Sequence, residues 1–394
     1  MQQTKDGGYI IGGGAIDGGS GTVCGGIFSQ ACALVEKVDS KGNLVWAQTY
    51  PIGPNGGDIT SLKQTADGGY VAAGNSYGPG SAANGALVLK LDNLGNVQWQ
   101  RIIGPAGSTL ATFNAVQQTS DGGYVATGDY DPPVQGLVPA GMLVVKLDSS
   151  GNLQWQQGFN DFGSQSGSAS ANSIVQTPDG GYLAAGHWSG PGFSPTAGAL
   201  LLKLDSSGNF QWQKAYSGGT YCYFNGYNEV CAPIGALIYS VHPASDGGYV
   251  LAGAGDLELL DSVPLVPWLA KVNLSGNLLW QNFYYQVYST GRPLSQYFAS
   301  AAPARDRGFV AVGFTEDYAK GLSLLYAVKT DSSGLCGKSC REVHSATPLT
   351  AINPALTQST LALPVSTTAI PGVSSTSKTR TTAIKVKQDC SLGR

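Results

Sequence analysis

The sequence predicts an all-β protein built from six similar units, and three observations carry that prediction. A four-residue motif, Asp-Gly-Gly-Tyr, recurs along the chain about every sixty residues. A second block containing Lys-x-Asp, then Gly-Asn and then Trp, follows the first four copies; the fifth has Asn273 in place of the Asp, and the sixth keeps Lys329, Asp331 and Gly334 but lacks the Trp. No segment shows the helical period of apolar residues, and the chain holds 56 Gly and 20 Pro among 394 residues. The Asp-Gly-Gly-Tyr copies occupy 6–9, 67–70, 121–124, 179–182 and 246–249, with an altered copy at 306–309.

Each unit is predicted to hold four antiparallel strands, a to d. Strand a is a short apolar run, and the Asp-Gly-Gly turn after it supplies the positive φ that a tight hairpin requires. Strand b begins at the motif Tyr, and a variable loop leads to the apolar strand c. The turn before strand d carries an Asp two residues after a Lys in five units and Asn273 in the fifth unit. The face that holds the a–b and c–d turns is therefore predicted to be locally balanced in charge.

Repetition of such a unit with both sheet faces apolar predicts a β-propeller. We expect residues 1–344 to form six blades and residues 345–394 to form a separate Ser/Thr/Pro-rich tail. One Trp in each of the first five units is interpreted as structural, packed between neighbouring blades. These residues are Trp46, Trp99, Trp155, Trp212 and Trp280.

The repeats resemble those of a family of secreted bacterial and archaeal proteins built from the delta-sixty β-propeller repeat, over residues 2–334. The resemblance implies the propeller fold and says little about activity. The pattern is also faintly similar to the tryptophan-docking repeats of quinoprotein dehydrogenases. Those have eight blades and an adjacent Cys-Cys pair, and this chain shows neither.

Composition excludes several classes of protein. Charged residues are 12% and the net charge is −3, so the chain has no basic footprint for nucleic acid. The hydrophobic share of 42% argues against intrinsic disorder. No apolar run is long enough to predict a membrane-spanning helix.

The seven cysteines predict disulfides and therefore an extracellular or cell-surface location. Cys24 with Cys32, and Cys222 with Cys231, each bracket a short loop. Cys390 is expected to pair with Cys336 or Cys340. The alternative is seven reduced, buried thiols. Because MQQTKDGGYI lacks an apolar signal segment and starts inside a repeat, we expect further residues before Met1 in the native chain.

The tail predicts a closing device. Blade 1 has only Met1 to Lys5 before its turn, so most of its strand a is missing. Segment 381–387 alternates like a strand, and we expect the tail to supply at least one strand that completes blade 1 and closes the ring. Donation to another copy, giving a polymer, and a disordered stalk are the alternatives. A monomer is favoured over a polymer.

Variable b–c and d–a loops are expected to share one end, the top face, and to gather most acids outside the repeat motifs there. Five residues after the motif aromatic lie Asn75, Asp129 and His187 in consecutive blades. They are the candidate catalytic set, with His187 as general base and Asp129 as its partner. The alternative is that they cap strand ends and bind water.

The same acids and aromatic residues predict ligand and cation sites. An acidic channel mouth suits a divalent cation such as Ca²⁺, with Asp129, Asp131 and Asp256 as candidate ligands. Exposed aromatics among acids suit sugar rings or protein surfaces. The candidate binding residues are Tyr77, Tyr130, Asp131, Trp188, Asp256, Glu258, Glu316 and Asp317.

Three functions follow as expectations. The first is a secreted binding or scaffold protein whose top-face loops present acids and aromatics to a glycan, small molecule or protein. The second is a cation-assisted hydrolase of an ester, lactone, phosphoester or glycoside at the channel mouth. The third is a surface-filament subunit that uses the tail as a donor strand.

Overall fold

The computed structural model describes residues 1–16, 31–50, 52, 55–77, 85–104, 110–131, 140–160, 168–189, 198–217, 219–224, 229–257, 266–284, 295–317, 322–336, 342–343, 350–352, 357–360 and 365–366. At some of these positions, including 219–224, 229–235 and the strands after residue 341, only the backbone is described.

The fold is all-β, and the six antiparallel sheets form the blades of a six-bladed β-propeller. Blades 1 to 3 contain β1 (Gln2–Gln3), β2 (Tyr9–Ile16), β3 (Ala31–Val38), β4 (Leu44–Tyr50), β5 (Gly57–Gln64), β6 (Tyr70–Ser76), β7 (Gly85–Leu91), β8 (Val97–Ile103), β9 (Ala111–Gln118), β10 (Tyr124–Tyr130), β11 (Gly141–Leu147) and β12 (Leu153–Asn160). In each blade the strands a to d pair in chain order, from the channel outward.

Blades 4 to 6 repeat this order with two changes. They contain β13 (Ser168–Gln176), β14 (Tyr182–Ser189), β15 (Gly198–Leu204), β16 (Phe210–Ser217), β17 (Gly219–Phe224), β18 (Glu229–Pro243), β19 (Tyr249–Leu257), β20 (Val266–Val272), β21 (Leu278–Tyr284), β22 (Ser295–Pro303), β23 (Phe309–Asp317) and β24 (Leu322–Thr330). Blade 5 carries β17 beside its long strand a, and blade 6 has three strands among the described residues, β22, β23 and β24.

The a–b turn explains the Asp-Gly-Gly motif, as blade 2 shows. Gly68 has a φ of +84°, which an L side chain rarely adopts. The Asp67 carboxylate accepts the Gly69 N–H at 3.1 Å and the Thr65 hydroxyl, which closes the turn on itself. A Cβ on Gly69 would lie 2.3 Å from the Leu91 carbonyl oxygen, so only glycine lets strand c approach this closely.

The Lys that recurs in strand c of each blade forms an ion pair with the Asp of the a–b turn. Lys90 Nζ pairs at 2.8 Å with Asp67 of the a–b turn, not with the c–d Asp two residues further on. Equivalent lysines pair with the a–b Asp in all six blades. The Lys thus balances an Asp on the face that was predicted to be locally balanced in charge, and its partner is the Asp of the a–b turn, which lies beside the tip of the Lys side chain.

The c–d Asp instead holds its own turn. Asp92 Oδ1 accepts the backbone N–H groups of Leu94 and Asn96, each at 2.8 Å. Its Oδ2 accepts the Asn96 side-chain amide, also at 2.8 Å. These contacts explain why Asp and Asn stand four residues apart around Gly95.

The cores lie between blades. Trp99 of blade 2 packs edge-on against Tyr124 of blade 3, with ring centroids 5.4 Å apart. A Cβ on Gly151, in the c–d turn of blade 3, would lie 2.8 Å from the same indole. The structure thus places the repeated Trp under the turn glycine of the next blade, and the same pairing recurs for Trp46, Trp155, Trp212 and Trp280.

Bulges in the inner strands add contacts near the channel. The pairing of β5 with β6 shifts between Ile59 and Ser61, which leaves Thr60 outside the ladder. The Thr60 hydroxyl donates to the Phe113 carbonyl of blade 3 at 2.6 Å. Asn114 and Asn172 donate in the same way to the blade that follows each of them.

The junction between the last and first blades is less buried than the others. In the face of blade 6 that points away from blade 5, Val310 is 40% exposed and Leu325 is 75% exposed. Val125, which occupies the position of Val310 in blade 3, is fully buried. Blade 6 has no Trp, and a Cβ on Gly42 of blade 1 would meet no atom within 4 Å.

The tail adds a strand to the outer edge of successive blades. The four tail strands are β25 (Glu342–Val343), β26 (Thr350–Ile352), β27 (Thr357–Thr360) and β28 (Val365–Ser366). They pair with β21, β16, β12 and β8, the outer strands of blades 5, 4, 3 and 2 in that order. Exposed sheet edges are thereby covered.

This path differs from the one expected for the tail. Among the described residues, β1 from the N-terminal segment pairs with β2 as the first strand of blade 1. Segment 381–387, which was expected to complete blade 1, lies outside the described residues. Closure of the ring by that segment stays a prediction.

Candidate functional site

The predicted catalytic positions lie where strand b ends, at the end of the blades opposite to the Asp-Gly-Gly turns. Across the ladder, Asn75 is opposite Asp58, and His187 is opposite Ser170. Asp129 occupies the same position in β10 of blade 3. The three residues therefore share one level but belong to three separate sheets.

Asn75 belongs to a cluster within blade 2. Its Nδ2 donates to Asp58 Oδ1 at 2.9 Å, and the Tyr77 hydroxyl donates to Asp58 Oδ2 at 2.9 Å. Burial, followed by the contact with Asp58, raises the pKa of Tyr77 to about 12. The Asn75 Oδ1 is buried without a hydrogen-bond partner. Asp58 thus fixes both neighbours at the top of blade 2.

Asp129 joins blade 3 to blade 4. Its Oδ1 accepts the Ala171 N–H at 3.2 Å, its Oδ2 accepts Asn114 Nδ2 at 3.3 Å, and the Ser170 side chain also bonds to it. Burial raises the pKa of Asp129 against the effect of these hydrogen bonds. Burial, and then the charge of Asp129, also raises the pKa of Asp131.

Of the two other predicted catalytic residues, His187 interacts electrostatically with Asp129 among the described residues, whereas Asn75 does not. Burial lowers the pKa of His187, and the Asp129 charge opposes that shift in part. The imidazole is therefore neutral at pH 7. Its Nδ1 is buried without a hydrogen-bond partner. The structure brings Asp129 and His187 into electrostatic contact and leaves Asn75 with Asp58.

Sequence reasoning missed two members of this cluster, Asn114 and Ser170. Both lie in inner strands, and Asn114 is at a bulge between Phe113 and Ala115. The sequence gives no residue pattern that marks such a bulge, since the equivalent positions in blades 2 and 4 hold Thr60 and Asn172.

The order in which hydroxyl, carboxylate and imidazole contact one another also matters for catalysis. Ser170 bonds to Asp129 directly, whereas a nucleophilic triad needs the imidazole between hydroxyl and carboxylate.

Two predicted binding aromatics are buried, which corrects their assignment as exposed platforms. Tyr130 is 1% exposed and packs in the core between blades 2 and 3. Trp188 is 9% exposed and packs in the core between blades 3 and 4. Large apolar rings at these strand ends are buried by the neighbouring blade, which their sequence position did not reveal.

The other predicted binding and metal residues are only partly described. Asp131 is half-buried beside Asp129. Glu258 lies outside the described residues, as do the side chains of Asp256, Glu316 and Asp317. In the part of the chain that the structure describes, no group of three or more His, Cys, Asp and Glu could hold a metal ion. The divalent cation stays a prediction.

The cysteines are described in part. Cys32 and Cys336 are each disulfide-bonded. Cys222 and Cys231 are directly opposite in the β17–β18 pair, a position from which a disulfide can form. Cys24, Cys340 and Cys390 lie outside the described residues, so the predicted pairings stay predictions.

No family model and no curated protein sequence matches this chain. Among the described residues, none forms a helix of the length and apolarity needed to cross a membrane.

Proposed function

We propose that this protein is a secreted β-propeller that binds or scaffolds a glycan or another protein through the loops of its top face. The observation that carries this proposal is that the carboxylates of Asp58 and Asp129 at the top face hold neighbouring groups in place through hydrogen bonds. Asp58 anchors Asn75 and Tyr77 within blade 2, and Asp129 bonds the backbone of blade 4. Both carboxylates stabilise the rim from which the variable loops depart, as expected of a rigid platform for binding loops.

Two further observations support this reading. The disulfides at Cys32 and Cys336 favour an oxidising, extracellular setting. The tail strands β25 to β28 pair with blades of their own chain, which favours a monomer over a filament. The resemblance of the repeats to the delta-sixty family of secreted proteins agrees with both.

A hydrolase is the second candidate, and the position of His187 favours it. Its neutral imidazole belongs to the residue directly opposite Ser170, which bonds to Asp129. Hydroxyl, carboxylate and imidazole are thus present at the top of blades 3 and 4, although their contacts do not follow the order of a nucleophilic triad. A cation held by loop carboxylates would supply the electrophile in this reading.

Binding is tested with the labelled full-length chain on a glycan array and on a panel of immobilised extracellular proteins. The informative variant is Asp131→Asn, which removes a top-face charge beside Asp129. Asp92→Asn is the matched control, because Asp92 lies in a c–d turn at the opposite end. We expect Asp131→Asn alone to weaken binding. Equal binding by both variants would place the ligand elsewhere.

The hydrolase is tested with activated esters. Turnover that is lost in Ser170→Ala and in His187→Gln, but kept in Ser173→Ala, would replace the binding proposal with catalysis. Ser173 is a suitable control because it lies on the same strand as Ser170, and its hydroxyl accepts the N–H of Val241 in blade 5 at 3.2 Å. Circular dichroism of each variant separates lost chemistry from lost folding.

A further inference from the structure

The c–d turn of blade 5 differs from the other five in the residue that opens it. Those five turns begin with Asp, whereas blade 5 has Asn273. In blades 1 to 4 the second carboxylate oxygen of the Asp accepts the side-chain amide of the Asn four residues later, at 2.8–2.9 Å. Asn273 has an NH₂ group in place of one of the two oxygens, and that group cannot accept a hydrogen bond. The exchange of Asp for Asn therefore removes a contact that four other turns use.

The oxygen of the Asn273 side chain still holds the turn. Its Oδ1 accepts the Ser275 N–H at 3.0 Å and the Asn277 N–H at 2.8 Å, as Asp92 Oδ1 does for the equivalent groups of blade 2. The Asn277 side chain instead accepts a hydrogen bond from Lys214 Nζ of blade 4 through its Oδ1. Among the described residues, no group forms a hydrogen bond with the Asn273 Nδ2. The amide nitrogen is thus not needed for the turn.

Blade 4 anchors this turn, and part of the turn stays exposed to solvent. A Cβ on Gly276 would lie 2.8 Å from the Trp212 indole, and the Gly276 carbonyl accepts the Tyr216 hydroxyl at 2.6 Å. Leu274, which follows Asn273, is nevertheless 54% exposed. The turn is therefore held in one conformation while the chain beside Asn273 is open to solvent.

The residues at this turn form a recognised modification pattern. Asn273, Leu274 and Ser275 fit Asn-x-Ser, where x is not Pro, which is the acceptor pattern for N-linked glycans. No other Asn-x-Ser or Asn-x-Thr occurs among the 394 residues. Acceptor sites of this kind lie in surface loops of secreted proteins. The turn of blade 5 meets that condition, since Ser275 is also exposed.

We propose that Asn273 is an acceptor for an N-linked glycan, attached when the chain is exported across a membrane that carries an oligosaccharyltransferase. The donor is a lipid-linked oligosaccharide pyrophosphate. The Asn273 Nδ2 forms a bond to the anomeric carbon of the donor sugar, the bond from that carbon to the pyrophosphate oxygen breaks, and the nitrogen loses one proton to a base of the transferase. Only Nδ2 changes, so Oδ1 keeps both backbone hydrogen bonds of the turn.

The glycan is placed at the end of the propeller opposite to the proposed binding surface. The a–b and c–d turns share one end of the blades, because the four strands pair antiparallel in chain order, and the variable loops leave from the other end. A glycan on Asn273 therefore leaves the top-face loops open to a ligand. The inference rests on the secreted location proposed above and is independent of which ligand the top face binds.

The test produces the full-length chain in yeast behind a cleavable secretion signal and recovers it from the medium and the endoplasmic reticulum. Peptide-N-glycosidase releases N-linked glycans and converts the linked Asn to Asp, so peptide mass spectrometry before and after treatment locates the modified residue. We expect a glycan on Asn273 of the wild type. Exported chain that carries no glycan at residue 273 would overturn the proposal. Because the added signal imposes export, that result would leave the top-face binding proposal standing.

Two variants separate glycan attachment from the part that Asn273 plays in its turn. Asn273→Asp restores the residue of the other five turns and removes the acceptor nitrogen, so it should lose the glycan and stay folded by circular dichroism. Ser275→Ala should lose the glycan although Asn273 remains, and Ser275→Thr should keep it.

Ser207→Ala is the matched control for Ser275→Ala. Ser207 has the equivalent position in the c–d turn of blade 4, where its N–H donates to Asp205 Oδ1 at 2.9 Å. This variant should keep the glycan in full. A glycan that persists in Asn273→Asp or in Ser275→Ala, or that Ser207→Ala removes equally, would overturn the assignment to Asn273.

Discussion

Trp99 fills the space beside Gly151 into which a side chain would project, so that a Cβ there would lie 2.8 Å from the indole. Arg101 completes the contact, because its Nε donates to the Gly151 carbonyl at 2.7 Å. The turn of one blade and the outer strand of the blade before it are thus fitted to each other. This relationship, repeated around the ring, converts a local turn signal into blade-to-blade packing.

Gly151→Ala should destabilise the protein more than Gly122→Ala. Both glycines have positive φ, at +78° and +81°, so both variants incur a backbone cost of about 1–2 kcal/mol. Only Gly151→Ala adds a collision with Trp99, which costs about 1–3 kcal/mol more, because a Cβ on Gly122 would meet nothing within 4 Å. Urea unfolding of the two variants measures the difference. Equal losses would show that the indole moves aside freely.

A hydroxyl introduced between two packed blades should lower the free energy of unfolding, whereas the same change at the junction between blades 6 and 1 should be tolerated. Val125→Thr places a hydroxyl in a fully buried position, and we expect a loss of about 1–3 kcal/mol. Val310→Thr makes the same change at the corresponding place in blade 6, where the side chain is 40% exposed, and should alter stability by less than about 0.5 kcal/mol. Thermal and urea unfolding test the pair. A large loss in Val310→Thr would mean that this face is covered in solution.

Arg307→Gly should stabilise the protein. Arg307 occupies the first glycine position of the altered turn in blade 6 and has a φ of 67°, in the region that disfavours side chains. Glycine at this position relieves a backbone strain of about 1 kcal/mol in the folded state. Part of that gain is lost because glycine increases the conformational entropy of the unfolded chain. Arg305→Gly is the control, since Arg305 lies in the same turn and is not among the residues with positive φ. A gain in melting temperature confined to Arg307→Gly is the expected result.

The a–b carboxylates should make the protein sensitive to acid. Although burial alone would raise it, hydrogen bonds from Lys90 and Thr65 lower the pKa of Asp67 to about 2. The folded pKa lies below the ordinary value of 3.8, so the contribution to stability is complete above about pH 4 and is lost as the pH falls toward 2. The same holds for Asp121 and Asp179, whose pKa values are also about 2.

Asp67→Asn measures that contribution. The variant should be less stable than the wild type at pH 5, and the difference should narrow at pH 2.5 and disappear only below about pH 2, where the protonated Asp and the Asn are both uncharged. Urea unfolding at the two pH values gives the comparison. A difference that stays constant between pH 5 and pH 2.5 would show that Asp67 acts through its turn hydrogen bonds and not through its charge.

Removal of the tail should expose four sheet edges. Deleting residues 342–394 frees the outer strands β21, β16, β12 and β8 for pairing with other chains. We expect lower thermal stability and concentration-dependent association, measured by calorimetry and by light scattering. An unchanged melting temperature with a monodisperse truncated chain would contradict a role for these strands.

The sequence by itself determined the elements that depend on neighbouring residues. The turns at Asp67 and Asp92 are specified within a few positions, because glycine conformations and side-chain-to-backbone bonds are local. Their repetition, with a Trp in five of the six units, was enough to predict six blades and four strands per blade. For the site at the top face, the sequence predicted only that Asn75, Asp129 and His187 lie at the same height in their blades, because each is five residues after the motif aromatic.

The tertiary structure decided which of these groups meet. The bond from Asn114 to Ala171 joins residues 57 positions apart. Such contacts depend on how blades stack and on bulges that no motif marks. Burial of Tyr130 and Trp188 and the path of the tail have the same origin, since each is set by the sheet against which a segment packs. Interactions between residues close in sequence determine the turns of each repeat, whereas the packing of blades around the ring determines which side chains contact one another.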